Sequence, residues 1–277
     1  MNLLRFILVA FLICGSLLAE DRSDPISSIS LRGAVSSDDL LLLRTDAGVS
    51  LGEGQLLLLG SGVTQDSVDD RLSDFTVGMS FQIEPLLTFW VSSDFVLIPQ
   101  SFKALSASVG VSYDLKEVFG SGQSSILTFQ YTPKGYFGGD PTRPRSGFLA
   151  GQHRWVLDWL QTISSVASVG LNLQYYAYSS DSIRVDPQLD NAIDYESSSI
   201  EYAIDIRFSW SVDDRWLTQV STSYSKITSV SGGIVGGQLG LFRLLGTDWL
   251  VGALFGLSGQ SSGTQTTSGL DVTYVWD

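Results

Sequence analysis

Between Ser73 and Ile83 the chain alternates strictly. Phe75, Val77, Met79, Phe81 and Ile83 share one parity, and Asp74, Thr76, Gly78, Ser80 and Gln82 the other. Period-two alternation is the signature of a strand whose two faces meet different surroundings. The pattern returns at Ile200, Tyr202, Ile204, Ile206, Phe208, Trp210 and Val212, against Glu201, Asp205, Arg207, Ser209 and Ser211. Weaker copies run through Leu105 to Tyr113, Ile126 to Tyr131, Trp155 to Trp159, Val169 to Tyr175, Trp249 to Leu257 and Leu270 to Trp276. Runs of ten residues or so are about twice the length of ordinary sandwich strands and suit a tilted crossing of a bilayer. The prediction is a transmembrane antiparallel barrel, all-β, with lipid on one face of each strand and water on the other.

Twelve strands are placed near 55–66, 72–83, 86–98, 102–113, 124–136, 151–162, 166–179, 199–211, 216–228, 232–245, 249–261 and 266–276. Short connections such as Glu84 and Pro85, Asp213 to Arg215 and Gly246 to Asp248 alternate with longer ones, notably Phe137 to Ala150 and Ser180 to Ser198. Asp114 to Gln123 is long for the short-turn side. The segment 20–54 is read as periplasmic or as lying in the lumen, with 55–277 as the barrel. Ser36 and Asp39 stand at capping-box spacing before Leu40 to Leu43, which suits a short helix over Ser36 to Ala47. The alternative is another strand pair there, giving fourteen strands.

Residues 1–19 carry Arg5, an apolar run from Phe6 to Ile13, and Gly15, Ser16 and Ala19, the pattern of a cleaved signal peptide. The apolar run is too short for a helical span. Cleavage removes the sole cysteine, Cys14, and one positive charge, leaving 15 basic against 29 acidic residues and a net charge near −14. Disulfides are then excluded from the mature chain, and nucleic acid is disfavoured as a partner. A composition of 44% hydrophobic and only 16% charged residues requires that much apolar surface be hidden from water, and lipid is the environment the strand pattern selects.

Aromatic placement is an independent check, because Trp and Tyr favour membrane interfaces. Trp159, Trp210, Trp216, Trp249 and Trp276 fall near the short turns or the carboxyl end, and Tyr131, Tyr136, Phe137, Tyr175, Tyr178 and Tyr202 near the opposite ends. With the signal segment, the repeated strands and the last strand Gly269 to Trp276, the chain resembles the outer-membrane β-barrel proteins of Gram-negative bacteria as a class. The resemblance implies location in the bacterial outer membrane. It also implies contact with its lipid and lipopolysaccharide, and insertion by the barrel-assembly machinery, which reads a terminal strand of alternating apolar and aromatic residues. Leu270, Val272, Tyr274 and Trp276 match that signal, although members usually end on the aromatic itself and Asp277 follows here.

The strand register points Asp74, Asp94, Lys103, Arg154, Asp158, Glu201, Asp205, Arg207 and Asp271 into the lumen. Charge there can line a pore, or it can pair and fill the interior, Arg154 with Asp158 and Asp205 with Arg207. An acidic excess in an open lumen favours cations. The acidic stretch with Asp181, Asp186, Asp190, Asp194 and Glu196 lacks EF-hand spacing and reads as a solvated loop. His153 is followed two residues later by Trp155, where barrel lipid hydrolases carry Ser, and reads as an interfacial polar residue. Gly232, Gly233, Gly236, Gly237 and Gly240 lack the strand, turn and helix order of a phosphate loop. No catalytic, metal or cofactor residue is assigned. The expected function is a small passive channel for polar or cationic solutes. The alternatives are a structural or adhesive barrel, or a barrel partner of an envelope export complex. The Gly-rich wall from Gly232 to Leu245 admits a homo-oligomer.

Overall fold

The computed structural model describes residues 27–37, 41–52, 54–65, 71–98, 102–116, 124–140, 143–179, 200–227, 233–260 and 263–276. They form fourteen antiparallel strands: β1 Ser27–Ser36, β2 Leu41–Gly52, β3 Gln55–Gln65, β4 Arg71–Glu84, β5 Leu87–Ile98, β6 Phe102–Asp114, β7 Ser125–Asp140, β8 Arg143–Ser164, β9 Ala167–Tyr178, β10 Ile200–Ser211, β11 Trp216–Ile227, β12 Gly233–Leu245, β13 Trp249–Gln260 and β14 Gly263–Trp276. Each strand pairs with its sequence neighbours, and β1 pairs with β14, so the sheet closes on itself. No described helix is long and apolar enough to cross a membrane.

The count is fourteen rather than the twelve placed first, and it matches the alternative in which 20–54 contributes a strand pair. The lumen helix over Ser36 to Ala47 is corrected: Leu41–Gly52 is strand β2, and the barrel begins at Ser27 rather than at residue 55. Four consecutive leucines, Leu40 to Leu43, mask the alternation locally. Beyond them it is plain, with Thr45, Ala47 and Val49 on one parity and Arg44, Asp46, Gly48 and Ser50 on the other. Neither β1 nor β2 could stand alone. They are held because β1 bonds β14 from Ser27↔Trp276 to Ser36↔Thr267, a partner 239 residues away at its centre.

The connections sort by length. One end carries tight links such as Pro85–Leu86, Ser165–Val166 and Gly246–Asp248, together with the two edges of the described chain. We call it the turn end, and the other the loop end. Gly52, Gly54 and Gly246 take positive φ of 84°, 74° and 71° at these turns, a conformation that costs other residues strain. The long link from β6 to β7 starts and closes on one side chain. Asp114 Oδ1 accepts from the backbone N–H groups of Lys116 and Ser125, and its Oδ2 accepts from Ser124 Oγ. The assigned signal segment and the acidic stretch 181–196 lie outside the described residues.

The usual relation of inside and outside is inverted. Leu31, Phe75, Val77, Ile206, Phe208, Leu239, Leu241, Phe255 and Leu270 are exposed, whereas Arg32, Arg44, Asp158, Arg207 and Asp271 are buried. The exposed apolar side chains run around the whole circumference, far beyond the patches a soluble monomer tolerates. Hydrocarbon is the solvent that such a surface matches.

The five tryptophans Trp159, Trp210, Trp216, Trp249 and Trp276 all lie on the outward parity at the turn end. Trp249 packs on Tyr274 at 4.7 Å between centroids, and Tyr274 stacks on Trp276. Arg243, outward at the same level, lays its guanidinium over Trp216 at 5.2 Å. At the loop end Tyr131, Phe137, Tyr175 and Tyr202 face outward, but Tyr136 and Tyr178 do not. Tyr136 is fully buried, and Tyr178 donates to the Ile200 carbonyl within an inward cluster with Tyr176 and Ala203. A strand end places aromatics of either parity at the same height, so height alone did not tell which ones meet lipid.

Two measurements check this arrangement. Ile206→Arg, in the middle of outward β10, is expected to lower the unfolding free energy of the refolded barrel by about 2–4 kcal/mol. Equal urea midpoints for it and the parent would contradict a lipid-facing position. Asp271→Leu removes the carboxylate that faces the buried Arg32 guanidinium across the closing seam and is expected to cost about 3–5 kcal/mol. Arg32→Met combined with Asp271→Leu should recover most of that loss, whereas an unrecovered double variant would mean that the pair matters through something other than charge.

Candidate functional site

The inward residues of β2, β3 and β4 build one polar unit. Arg44 on β2 lies opposite Gly62 on β3, which lies opposite Asp74 on β4. Arg44 reaches across the glycine to Asp74, Nη1 to Oδ1 2.6 Å, and donates through Nε to both Asp46 oxygens at 2.9 and 2.7 Å. A Cβ at Gly62 would sit among the Asp74 carboxylate atoms, and one at Gly60 would meet Asp46 and Arg44. The two glycines of β3 are therefore the gap through which an ion pair joins strands that are not hydrogen-bonded to each other.

A second unit stands six strands further round, on β8, β9 and β10. Arg207 Nη2 donates to both Asp158 oxygens at 2.8 and 2.7 Å, passing over Gly170 of β9, and its Nε lies 3.2 Å from Asp205 Oδ1. Asn172 Nδ2 donates to Asp158 at 3.1 Å and accepts from Gln174, whose Oε1 accepts from Tyr176 Oη. This hydrogen-bonded ladder lines β9 toward the loop end. Each unit holds one arginine between two aspartates and so carries a net charge near −1.

Between and beside the two units lie the remaining groups. Asp94 on β5 accepts from Thr76 at 2.8 Å and from Ser106 at 2.9 Å, one hydroxyl from each adjacent strand, and has no cation partner among the described residues. Arg154 donates toward Thr132, which also bonds Ser108 and Gln130. The expected Arg154–Asp158 pair is corrected: Asp158 takes Arg207 across β9 instead. Arg32 and Asp271 face each other in register across the β1–β14 seam, with Nε to Oδ2 2.9 Å and a second, shorter contact through Nη2.

Toward the turn end two aromatic rings interrupt this polar interior. Trp90 on β5 lies over Gly110, and Phe242 on β12 over Gly240 and Gly252; a Cβ at Gly110 or Gly252 would fall inside the ring that covers it. The two strands are seven apart in a ring of fourteen, hence on opposite walls. Each ring is three residues from the turn end of its strand.

Of the nine charged residues expected inside, Asp74, Asp158, Asp205 and Arg207 meet in the two arginine units, Asp271 meets Arg32, and Asp94 and Arg154 rest on hydroxyls. Glu201 sits in the bulge between Ile200 and Tyr202 and makes no hydrogen bond or ion pair among the described residues. Lys103 is corrected: its position on β6 is in register with the outward Leu97 and Phe137 and so has outward rather than lumen parity, and its side chain lies outside the described residues. Sequence reasoning missed Arg32, Arg44 and Asp46, because 20–54 was set apart from the barrel; the alternation after Leu43 was the available signal. Leu270, Val272, Tyr274 and Trp276 occupy successive outward positions of β14.

No known protein family matches the sequence, and no curated protein does. Solved structures do resemble it. The CymD monoaromatic hydrocarbon channel superposes with a TM-score of 0.58 at 7% identity, covering 97% of this chain and 92% of that one. CdiB from Acinetobacter baumannii gives 0.56 at 11%, covering 92% of this chain, which spans 60% of CdiB. The KdgM porin gives 0.48 at 13%, covering 89% and 98%. Identities this low show the fold alone, a closed antiparallel β-barrel.

Proposed function

We propose that the protein is a passive channel of the bacterial outer membrane for polar or cationic solutes, and not an enzyme. The observation that carries this reading is the charged lining of the interior, where Asp46, Asp74, Asp94, Asp158, Asp205 and Asp271 stand against Arg32, Arg44, Arg154, Arg207 and Lys134, a small carboxylate excess among the described residues. Arg44 is shared by Asp46 and Asp74, Arg207 by Asp158 and Asp205, and Asp94 is satisfied by hydroxyls alone. An interior that merely filled itself would gain nothing from leaving carboxylates in excess. Size supports passage as well. Fourteen strands about 4.8 Å apart and tilted about 40° enclose a backbone cylinder roughly 28 Å across, more than two facing layers of side chains fill.

The wall groups divide the work. Arg44 and Arg207 staple neighbouring carboxylates against the wall. Asp46 and Asp205 are the wettest members of their units, with side chains 23% and 24% exposed, and present negative charge to a passing ion. Delivery to the membrane follows from the signal segment 1–19, and Leu270, Val272, Tyr274 and Trp276 serve as the insertion signal for the assembly machinery.

The test is conductance of the refolded protein in a planar bilayer under a potassium chloride gradient. A reversal potential on the cation side is expected. Asp46→Asn combined with Asp205→Asn leaves both cross-strand bridges in place and removes the second carboxylate of each arginine unit. At about 6 Å in water each lost carboxylate weakens attraction for a cation by about 0.7 kcal/mol, roughly threefold in local occupancy. The double variant should conduct with little selectivity. A folded but silent barrel would point to a structural or complex-bound role, and anion preference in the parent would overturn the reading.

A further inference from the structure

On the outward face of β7, β8 and β9 near the loop end, aliphatic side chains give way to a platform of rings. Phe129, Leu157 and Leu173 are exposed toward the turn end, followed by Tyr131, Trp155 and Tyr175, and then His153. Tyr131 stacks on His153 at 5.9 Å with 9° between planes and meets Trp155 at 5.6 Å; His153 and Trp155 are 6.0 Å apart, and Trp155 meets Tyr175 at 5.7 Å. Four rings from three strands thus form one surface.

Its hydrogen bonding is incomplete. Tyr131 Oη lies 2.7 Å from His153 Nδ1. With the phenol donating to Nδ1, the imidazole proton resides on Nε2, and Nε2–H has no partner among the described residues. Its register neighbours cannot supply one from their side chains: they are Pro133 on β7 and Ala177 on β9. The Trp155 indole N–H likewise has no acceptor among the described residues, unlike Trp159, whose Nε1 donates to Ser125 Oγ at 3.1 Å. Two ring N–H donors side by side at the edge of a lipid-facing band, with no carboxylate on the platform, call for an acceptor from outside the protein.

We infer that Tyr131, His153, Trp155 and Tyr175 form a binding site for the phosphate of a membrane lipid head group, the N–H groups of His153 and Trp155 holding the phosphate oxygens while the acyl chains lie on the aliphatic band beneath. A phosphate supplies only acceptors, as two adjacent donors require, and attachment to a lipid brings it to this height. Protonation of the imidazole leaves Nε2 a donor and adds charge of the favourable sign. Tyr175, 57% exposed, and the face of Trp155 offer the flat contact on which a head-group ring can rest. The site rests on the reading of the chain as a membrane barrel, but not on whether that barrel conducts.

Because His153 is the only histidine of the chain, an untagged protein labelled with nitrogen-15 in histidine reports this site alone. The full chain, refolded in a non-ionic detergent and shown to be folded by its heat-modifiable mobility on gels, is titrated with short-chain phosphatidic acid, the matching diacylglycerol, and inorganic phosphate. Phosphatidic acid is expected to shift the Nε2 resonance saturably, with no comparable shift from diacylglycerol. Trp155→Phe keeps the ring and removes the N–H, and should weaken the apparent affinity about tenfold. Equal shifts with both lipids would mean apolar contact only, equal shifts with inorganic phosphate would mean an ion site indifferent to lipid, and no shift would mean no site. Each of these overturns the inference, whereas failure to refold in detergent would instead count against the membrane barrel itself.

Discussion

A sheet whose outer face meets hydrocarbon cannot leave a strand edge open, because an unpaired backbone N–H or C=O in lipid finds no water to bond. The pairing of β1 with β14 removes the last edge, and the rest of the structure depends on it. Arg32 and Asp271 stand opposite each other on the inner side of that seam. A slip of one residue there would carry one of them to the lipid side, so their attraction selects the closing register as well as stabilising it.

Closure also explains where polar groups accumulate. With the apolar side chains turned outward, the interior inherits the charges, and each must find partners on a concave wall. Glycine makes this possible. Gly60 and Gly62 open a gap on β3 for Arg44, and Gly170 leaves room on β9 for Arg207. Guanidinium groups then tie strands two apart, cross-links that backbone hydrogen bonding cannot supply. The same device serves apolar groups, since Trp90 and Phe242 lie down on glycines of neighbouring strands. The electrostatic balance that results is local: Arg44 and Arg207 are each held between two carboxylates on the wall.

Much of this was legible along the chain, for one reason. A strand between lipid and water writes its environment into every second residue, so β4 and β10 could be read with their faces assigned, and Asp74, Asp205 and Arg207 with them. The reading faltered where the alternation was interrupted. The Leu40 to Leu43 run, with a capping-like Ser36 before it, imitates a helix start, and Arg44 and Asp46 were lost with the strand that carries them. Tyr136 and Tyr178 were assigned by height along a strand, although parity decides whether a ring meets lipid or lumen.

Taken alone, the order of residues determined the class of fold, the parity of most strands and the inward course of most of the charged groups, because these are properties of single strands and period-two patterns are local. Only the tertiary structure decided the number of strands, the partner of each charge and the completeness of each hydrogen bond. Asp158 has Arg154 four residues before it, yet it binds Arg207 from a strand two places away, and Arg32 meets Asp271 across 239 residues. Such partners are set by registers around a closed ring, where each strand's position is constrained by all the others, and no local pattern records that sum.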